Sequence, residues 1–305
     1  MTNHQHSHSH TNLRGQKLGI TIVLNLIITG AQIIGGLISG SLSLLSDALH
    51  NFSDVISLII SYIASILSNR KQTVTKTFGY KRAEIIAAFL NASTLIVIAV
   101  FLAIEAFKRF ETPEIISSKW VIILAAASIL LNGLSVFILQ KEVKDNLNIK
   151  SAYLHLLSDM FTSIAVLIGG ILMYFYKIYW IDGVLTMAIA VYLVYVSWGL
   201  LIDSLKVLML FAPSSIILNN INKEITIIPE IENIHHVHVW QLDDKQIHFE
   251  AHVDFKENLT LDKVNLILQQ VRKMLHDKFD IEHVTLQPEF NICDKKDLVT
   301  DQHGC

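Results

Sequence analysis

Apolar runs of about 20 residues recur through the first two thirds of the chain and restrict its fold more than any other feature. A run of that length crosses the hydrocarbon core of a bilayer as one helix. Six runs are predicted to do so, at about 18–38, 42–67, 83–107, 119–139, 152–176 and 182–210. Only 17% of the 305 residues are charged, against about 25% in an ordinary soluble domain, so the sequence predicts an integral membrane protein.

The short connections between the runs predict how the chain is oriented. Cytosolic loops of membrane proteins carry an excess of lysine and arginine. With the N-terminus inside, the inner segments hold ten such residues and the outer loops hold four. Both termini are therefore predicted to be cytosolic. The predicted location is a bacterial inner (plasma) membrane.

The sequence changes character after Pro213, where polarity rises and no run of membrane-spanning length remains. The pattern predicts a helix at about 214–226, strands at HVHVWQL and IHFEAHVDF, a helix at about 260–278 and a strand at HVTLQPE. The predicted fold class is an α-helical membrane protein with six transmembrane helices, followed by a small cytoplasmic α+β domain of order αββαβ. The apolar face of the second helix of that domain is predicted to consist of Val264, Ile267, Leu268, Val271 and Leu275.

Four parts follow from these patterns: a His-rich cytosolic N-terminal tail at 1–17, the six-helix transmembrane domain at 18–211, the cytoplasmic domain at 212–291 and a C-terminal tail at 292–305. The N-terminal tract HQHSHSH either collects metal near the entrance of the membrane domain or is a disordered end. Both cysteines, Cys293 and Cys305, lie in the C-terminal tail, so they cannot form a disulfide framework for the fold.

Ionisable residues interrupt two of the apolar runs. In the second run, Asp47, His50 and Asp54 are separated by three and four residues and share one face of a helix. The fifth run repeats the histidine–aspartate spacing of the second, because His155 and Asp159 are also four residues apart. Charged side chains at membrane depth cost several kcal/mol each and usually mark an ion or proton path.

Two imidazoles and two carboxylates form a donor set that suits tetrahedral zinc. We therefore predict a metal transport site made of His50, Asp54, His155 and Asp159. Asp47 is predicted to support this site rather than to bind the ion, because four ligands already complete the shell. The alternative interpretation of the same residues is a proton relay without metal.

Five motifs make the chain resemble the cation diffusion facilitator family of metal–proton antiporters. They are SDALHNFSD (46–54), FGYKRAE (78–84), HLLSD (155–159), YWID (179–182) and HHVHVW (235–240). The resemblance implies a transport site at the four positions given above, a metallochaperone-like cytoplasmic domain and a homodimer. A histidine at position 50 resembles family members that favour zinc over cadmium.

The resemblance also points to His235, His252, His283 and Glu289 as ligands of a cytoplasmic zinc site. Strand alternation complicates this prediction, because His236 and His238 share one face of their strand and His235 falls on the other.

The function expected from these patterns is secondary transport, with zinc, and also cadmium or cobalt, exported from the cytosol in exchange for protons. Zinc is then the cargo, with a further structural or regulatory use in the cytoplasmic domain. The alternative is a membrane-anchored metal sensor or buffer that acts through that domain. A metal-dependent hydrolase would need an open coordination position and a general base, so the chain is predicted not to be an enzyme. A net charge of −3 without a basic cluster predicts no nucleic-acid binding.

Overall fold

The computed structural model describes residues 9–112, 114–140, 147–243, 246–292 and 296–299. The predicted histidine tract up to residue 8, and Cys293, His303 and Cys305 of the C-terminal tail, lie outside the described residues. The described part divides into two compact units, each with its own hydrophobic core. One unit contains the residues up to Tyr62 together with Leu90–Leu200, and the other contains Ile63–Phe89 together with the residues from Leu201 onward.

Each of the six predicted spans is found as a long helix. In chain order they are α1 (Ser9–Ser39), α2 (Leu42–Ser68), α3 (Ala83–Glu111), α4 (Ser118–Leu139), α5 (Leu147–Tyr176) and α6 (Trp180–Leu208). Helices α2 to α6 are long and apolar enough to cross a membrane. In α1, the residues whose side chains are described form a shorter apolar helix, Val23–Ser39.

Small and large apolar side chains alternate in the core of the first unit. Ala99, Leu102, Ala125, Val166 and Leu193 are buried there. Many large apolar side chains of the same helices face outward instead, as expected of helices whose outer surface meets lipid rather than water. Large exposed side chains of this kind include Ile34, Ile59, Phe101, Phe137, Phe175 and Tyr195.

The fully buried carboxylate of Asp182, in the first turn of α6, fixes the beginning of α2. Its Oδ2 accepts a hydrogen bond from the backbone N–H of Leu42 at 2.8 Å, and its Oδ1 accepts from the hydroxyls of Ser41 at 2.6 Å and Ser43 at 2.5 Å. Nη1 of Arg109, from α3, lies 3.4 Å from Oδ2. A carboxylate at a helix N-terminus satisfies N–H groups that have no partner within the helix, so Asp182 ties α2, α3 and α6 together.

The second unit contains the predicted αββαβ domain. Its elements are α7 (Leu218–Thr226), β1 (Ile231–Gln241), β2 (Ile247–Phe255), α8 (Leu261–Phe279) and β3 (His283–Glu289). The sheet order is β1-β2-β3, with β1 and β2 antiparallel and β2 and β3 parallel. The parallel pair requires a crossover, which α8 supplies. The fold class expected from the sequence, membrane helices followed by a small α+β domain, is confirmed.

The core of the cytoplasmic domain lies between the sheet and its two helices. The predicted apolar face of α8 is buried along its whole length, and Phe249, Ala251 and Val253 of β2 are buried against it. Residues 296–299 return to the outer edge of β1, where the N–H of Val237 donates to the carbonyl of Leu298 at 2.9 Å. Lys296 forms an ion pair with the buried Asp254.

Asp182 provides a test of how α2 is held. Replacing Asp182 with asparagine should lower the unfolding temperature of the detergent-solubilised protein by about 5 °C. The amide has one acceptor atom where the carboxylate has two, and the substitution removes the negative charge beside Arg109. Tryptophan fluorescence during a thermal ramp would measure the change. Asp203→Asn is the control, since Asp203 is exposed and its ion pair is with Lys206 of the next turn. Equal shifts for the two variants would contradict this role.

Candidate metal centres

Four ionisable side chains from two helices meet within the first unit. Nε2 of His155 lies 3.4 Å from Oδ2 of Asp54 and 3.6 Å from Oδ2 of Asp159. Nε2 of His50 lies 3.9 Å from Oδ1 of Asp159, and its Nδ1 lies 3.4 Å from Oδ2 of Asp54. The four residues predicted to form a transport site are thus close together, and we call them the intramembrane cluster.

The ion-pair distances within the intramembrane cluster are longer than the spacing of ligand atoms in a zinc shell. Nitrogen and oxygen ligands bind zinc at about 2.0–2.1 Å, which places the ligand atoms of a tetrahedral shell about 3.3 Å apart. The observed separations of 3.4, 3.4, 3.6 and 3.9 Å are slightly wider. His50 contacts the two carboxylates through different ring nitrogens, so its ring must turn slightly to present one nitrogen to an ion that His155 also binds.

Burial makes an unpaired negative charge costly in the intramembrane cluster. The side chain of Asp159 is 1% exposed, and neither of its carboxylate oxygens has a hydrogen-bond partner among the described residues. Nδ1 of His50 and Oδ2 of Asp54 likewise have no hydrogen-bond partner among the described residues. An unpaired carboxylate in such surroundings is strongly unfavourable. A divalent metal ion, or protons on the imidazoles, can supply the compensating positive charge.

Asp47 lies beside the intramembrane cluster but its oxygens are already engaged. Its Oδ2 accepts hydrogen bonds from Nε2 of Gln32 at 2.8 Å and from the hydroxyl of Ser163 at 3.1 Å, and its Oδ1 accepts from the hydroxyl of Thr162 at 2.9 Å. Oγ1 of Thr162 also lies 2.8 Å from the backbone carbonyl oxygen of Asp159, so its single proton is shared between these two acceptors. Asp47 therefore joins α1, α2 and α5 next to a predicted ligand, which fits the supporting role predicted for it.

A second group of potential ligands lies in the cytoplasmic domain. Oε2 of Glu289 is 3.2 Å from Nε2 of His235, and Oε1 is 2.8 Å from Nδ1 of His252. The two imidazole rings are 5.3 Å apart at their centroids. One donor atom from each residue lies within 4.8 Å of the others, so the three could hold one metal ion. We call this group the cytoplasmic cluster.

A β-bulge brings His235 into the cytoplasmic cluster. The register between β1 and β2 shifts between His235 and His238, and His236 has a φ of 51°, in the left-handed region. The inserted residue breaks the alternation that would otherwise place His235 away from His252. As a result, His235 pairs directly with His252 across the sheet and is buried.

His283 is the one predicted cytoplasmic ligand that lies elsewhere. It begins β3, six residues before Glu289, which is about 20 Å of extended strand. Its partner in the register of the neighbouring strand is His248, whereas the partner of His252 is Gln287. The structure therefore brings together three of the four predicted residues.

Several supporting residues escape a search for metal ligands in the sequence. Gln32, Thr162 and Ser163 hold Asp47, and Oδ1 of Asn233 lies 3.1 Å from Nδ1 of His235 and orients that ring. Polar side chains in apolar runs were a signal for the first three. They carry no charge, however, and their importance depends on which helices lie next to α2.

Two family models match nearly the whole chain. A cation efflux transmembrane domain matches residues 18–209, and the cytoplasmic domain of cation efflux proteins matches residues 213–290. This chain belongs to the cation efflux, or cation diffusion facilitator, family. The resemblance inferred from the sequence motifs is therefore confirmed. The protein is a multi-pass membrane protein of a family that exports metal ions.

Relatives over nearly the full length carry names that agree with the family. The cation efflux system protein CzcD of Alcaligenes sp. is 32% identical over 96% of this chain and 92% of its own length. The zinc transporter ZitB of Pectobacterium atrosepticum is 33% identical over 95% of this chain and 90% of its own length. A cadmium, cobalt and zinc/H(+)-K(+) antiporter of Bacillus subtilis is 33% identical over 92% and 91% respectively. These relatives are transporters, so at the level of the family the role is not enzymatic.

Removing one ligand tests the cytoplasmic cluster. In full-length protein that also carries Asp159→Ala, Glu289→Gln should weaken zinc binding at this cluster by about tenfold or more, because a neutral amide oxygen is a poorer zinc ligand than a carboxylate. Titration against a competing zinc chelator would measure the affinity. Glu257→Gln, at an exposed position, is the matched control. Equal affinities in the two variants would show that Glu289 binds no metal.

Proposed function

We propose that the protein exports zinc from the cytosol by metal/proton antiport, with the intramembrane cluster as the transport site. The observation that carries this proposal is the convergence of two imidazoles and two carboxylates, from α2 and α5, at separations of 3.4–3.9 Å. Such a donor set, buried between apolar helices, has a use in carrying a cation through the bilayer and adds little to folding stability.

Zinc fits this donor set better than the alkaline-earth cations do. Imidazole nitrogen suits zinc and other first-row transition metals, whereas calcium and magnesium prefer oxygen ligands alone. No thiolate belongs to the intramembrane cluster, and a cargo that must be released is better served by ligands of intermediate strength. The names of the relatives, which include zinc, cadmium and cobalt, support zinc as the main cargo with the other two as further substrates.

Proton coupling follows from the chemistry of the same ligands. An imidazole binds metal only when the coordinating nitrogen is deprotonated, so metal ions and protons compete for His50 and His155. Imidazole has an unperturbed pKa of about 6.5, which makes this competition effective near neutral pH. When the site faces outward, protons bind the two imidazoles and zinc is released. The zinc-free site then carries these protons to the cytosol. The name of the Bacillus subtilis relative supports this exchange.

The cellular setting proposed for this activity is a bacterial inner membrane, with both termini in the cytosol and two copies of the chain in a homodimer. The excess of basic residues in alternate connections supports the orientation. The bacterial relatives support the membrane, and the cytoplasmic domain gives the two copies a soluble part outside the bilayer.

A metal sensor or buffer is the second candidate function, and the cytoplasmic cluster is the observation that favours it. Two of its three residues, His235 and Glu289, are buried, and one donor atom from each of the three lies within 4.8 Å of the others. A sensor, however, has no need of four ionisable groups between membrane helices. Metal-dependent proton flux separates a transporter from a sensor.

Flux measurements in proteoliposomes test the transport proposal. Wild-type protein should move zinc and protons in opposite directions, followed with a zinc dye and a pH dye together. Asp159→Asn should reduce both signals by about a hundredfold or more, because the amide keeps the shape of the side chain but cannot compensate the charge of zinc. Asp203→Asn, at an exposed position near the end of α6, should leave both signals unchanged.

Two results would overturn the transport proposal: zinc flux that persists in Asp159→Asn, or wild-type zinc flux that never couples to protons.

A further variant tests selectivity. His50→Asp should increase cadmium flux relative to zinc flux, because a carboxylate can bind a larger ion through both oxygens whereas an imidazole offers one nitrogen.

A further inference from the structure

A pair of histidines at the other end of β2 lies outside both metal clusters. His283, the first residue of β3, faces His248 in the adjacent parallel strand, and the ring centroids are 4.4 Å apart. His248 precedes His252 by four residues, which is about 13 Å along the strand. One ion therefore cannot bind this pair and the cytoplasmic cluster together.

The ring of His248 is held in place by its neighbours. Trp240 of β1 stacks on it with centroids 5.2 Å apart and an angle of 21°, and Phe78 of the connection between α2 and α3 meets it edge-on at 5.7 Å. His248 is only 5% exposed, whereas His283 is exposed. The pair thus combines one ring that is fixed by packing with one that solvent reaches.

We propose that His248 and His283 form a second cytoplasmic site for a divalent transition-metal ion, with zinc as the ion bound in the cell. Two imidazoles bound to one tetrahedral zinc have centroids about 5 Å apart, so a small rotation of the exposed His283 ring is sufficient. Imidazole pairs select zinc, nickel, cobalt or copper over calcium and magnesium. Water completes the shell.

The charges around the pair favour a metal ion over protons. Two adjacent imidazoles repel each other when both are protonated. Burial and the neighbouring His283 lower the pKa of His248, which leaves its ring in the neutral form that binds metal. The carboxylate of Asp243 also lies nearby, where it accepts the N–H of Gln246 at 2.8 Å and faces Nζ of Lys81 at 4.0 Å. Its negative charge offsets part of the charge of a bound cation.

The test uses full-length protein in nanodiscs that carries Asp159→Ala and Glu289→Ala, so that both other clusters are disabled. Zinc content after equilibrium dialysis is measured by elemental analysis. The proposal expects His283→Ala to lose about one zinc per chain relative to this background. It expects His276→Ala to lose none, because His276 is an exposed histidine of α8 beside Asp277. Equal zinc content in the two variants would overturn the proposal.

A local readout distinguishes this pair from other histidines. Nickel quenches tryptophan fluorescence at short range, and Trp240 stacks on His248. Nickel should therefore quench the background protein in a saturable way that zinc reverses, and both Trp240→Phe and His283→Ala should abolish that component. Quenching that persists in His283→Ala would contradict the site. Because the transport site is disabled throughout, these results are independent of the antiport proposal.

Discussion

The cost of a carboxylate buried among apolar helices governs the membrane part of this protein. Three such carboxylates are almost completely buried, and each is compensated differently. Asp182 binds the N-terminus of α2 and pairs with Arg109, whereas Asp47 accepts three hydrogen bonds from neutral donors. Of these three, Asp159 is the one for whose carboxylate oxygens the described residues supply no hydrogen bond. The carboxylate that still needs a positive charge is thus the one beside the two membrane histidines.

The two metal clusters differ in a way that matches different uses of an ion. In the cytoplasmic cluster, Glu289 lies within 3.2 Å of both histidines, and Asn233 orients the buried His235. In the intramembrane cluster the separations reach 3.9 Å, and His50 divides its two nitrogens between different carboxylates. Under the proposals above, a resident ion would bind at the first cluster and the cargo would bind at the second.

The sheet of the cytoplasmic domain separates its histidines into two groups. The bulge at His236 turns His235 toward His252 at one end of β2, and the parallel register sets His283 against His248 at the other. The second group also touches the connection between α2 and α3 through Phe78. The candidate metal ligands of this domain are therefore distributed along one strand rather than concentrated at one point.

The sequence by itself determined the features that depend on local periodicity. Runs of about 20 apolar residues located the six helices, alternation located β2, and the four-residue spacing placed His50 with Asp54 and His155 with Asp159 on single helix faces. The apolar face of α8 followed from the same reasoning and is buried as predicted. Each of these features depends on the spacing of residues within a single helix or strand.

Only the tertiary structure decided how separate elements meet. The sequence did not reveal that a bulge would bring His235 across to His252, or that His283 would lie against His248 instead of Glu289. It also did not reveal the hydrogen bonds from Gln32 and Thr162 to Asp47. Register and helix packing are set by contacts between residues far apart in the chain, and no local spacing encodes them.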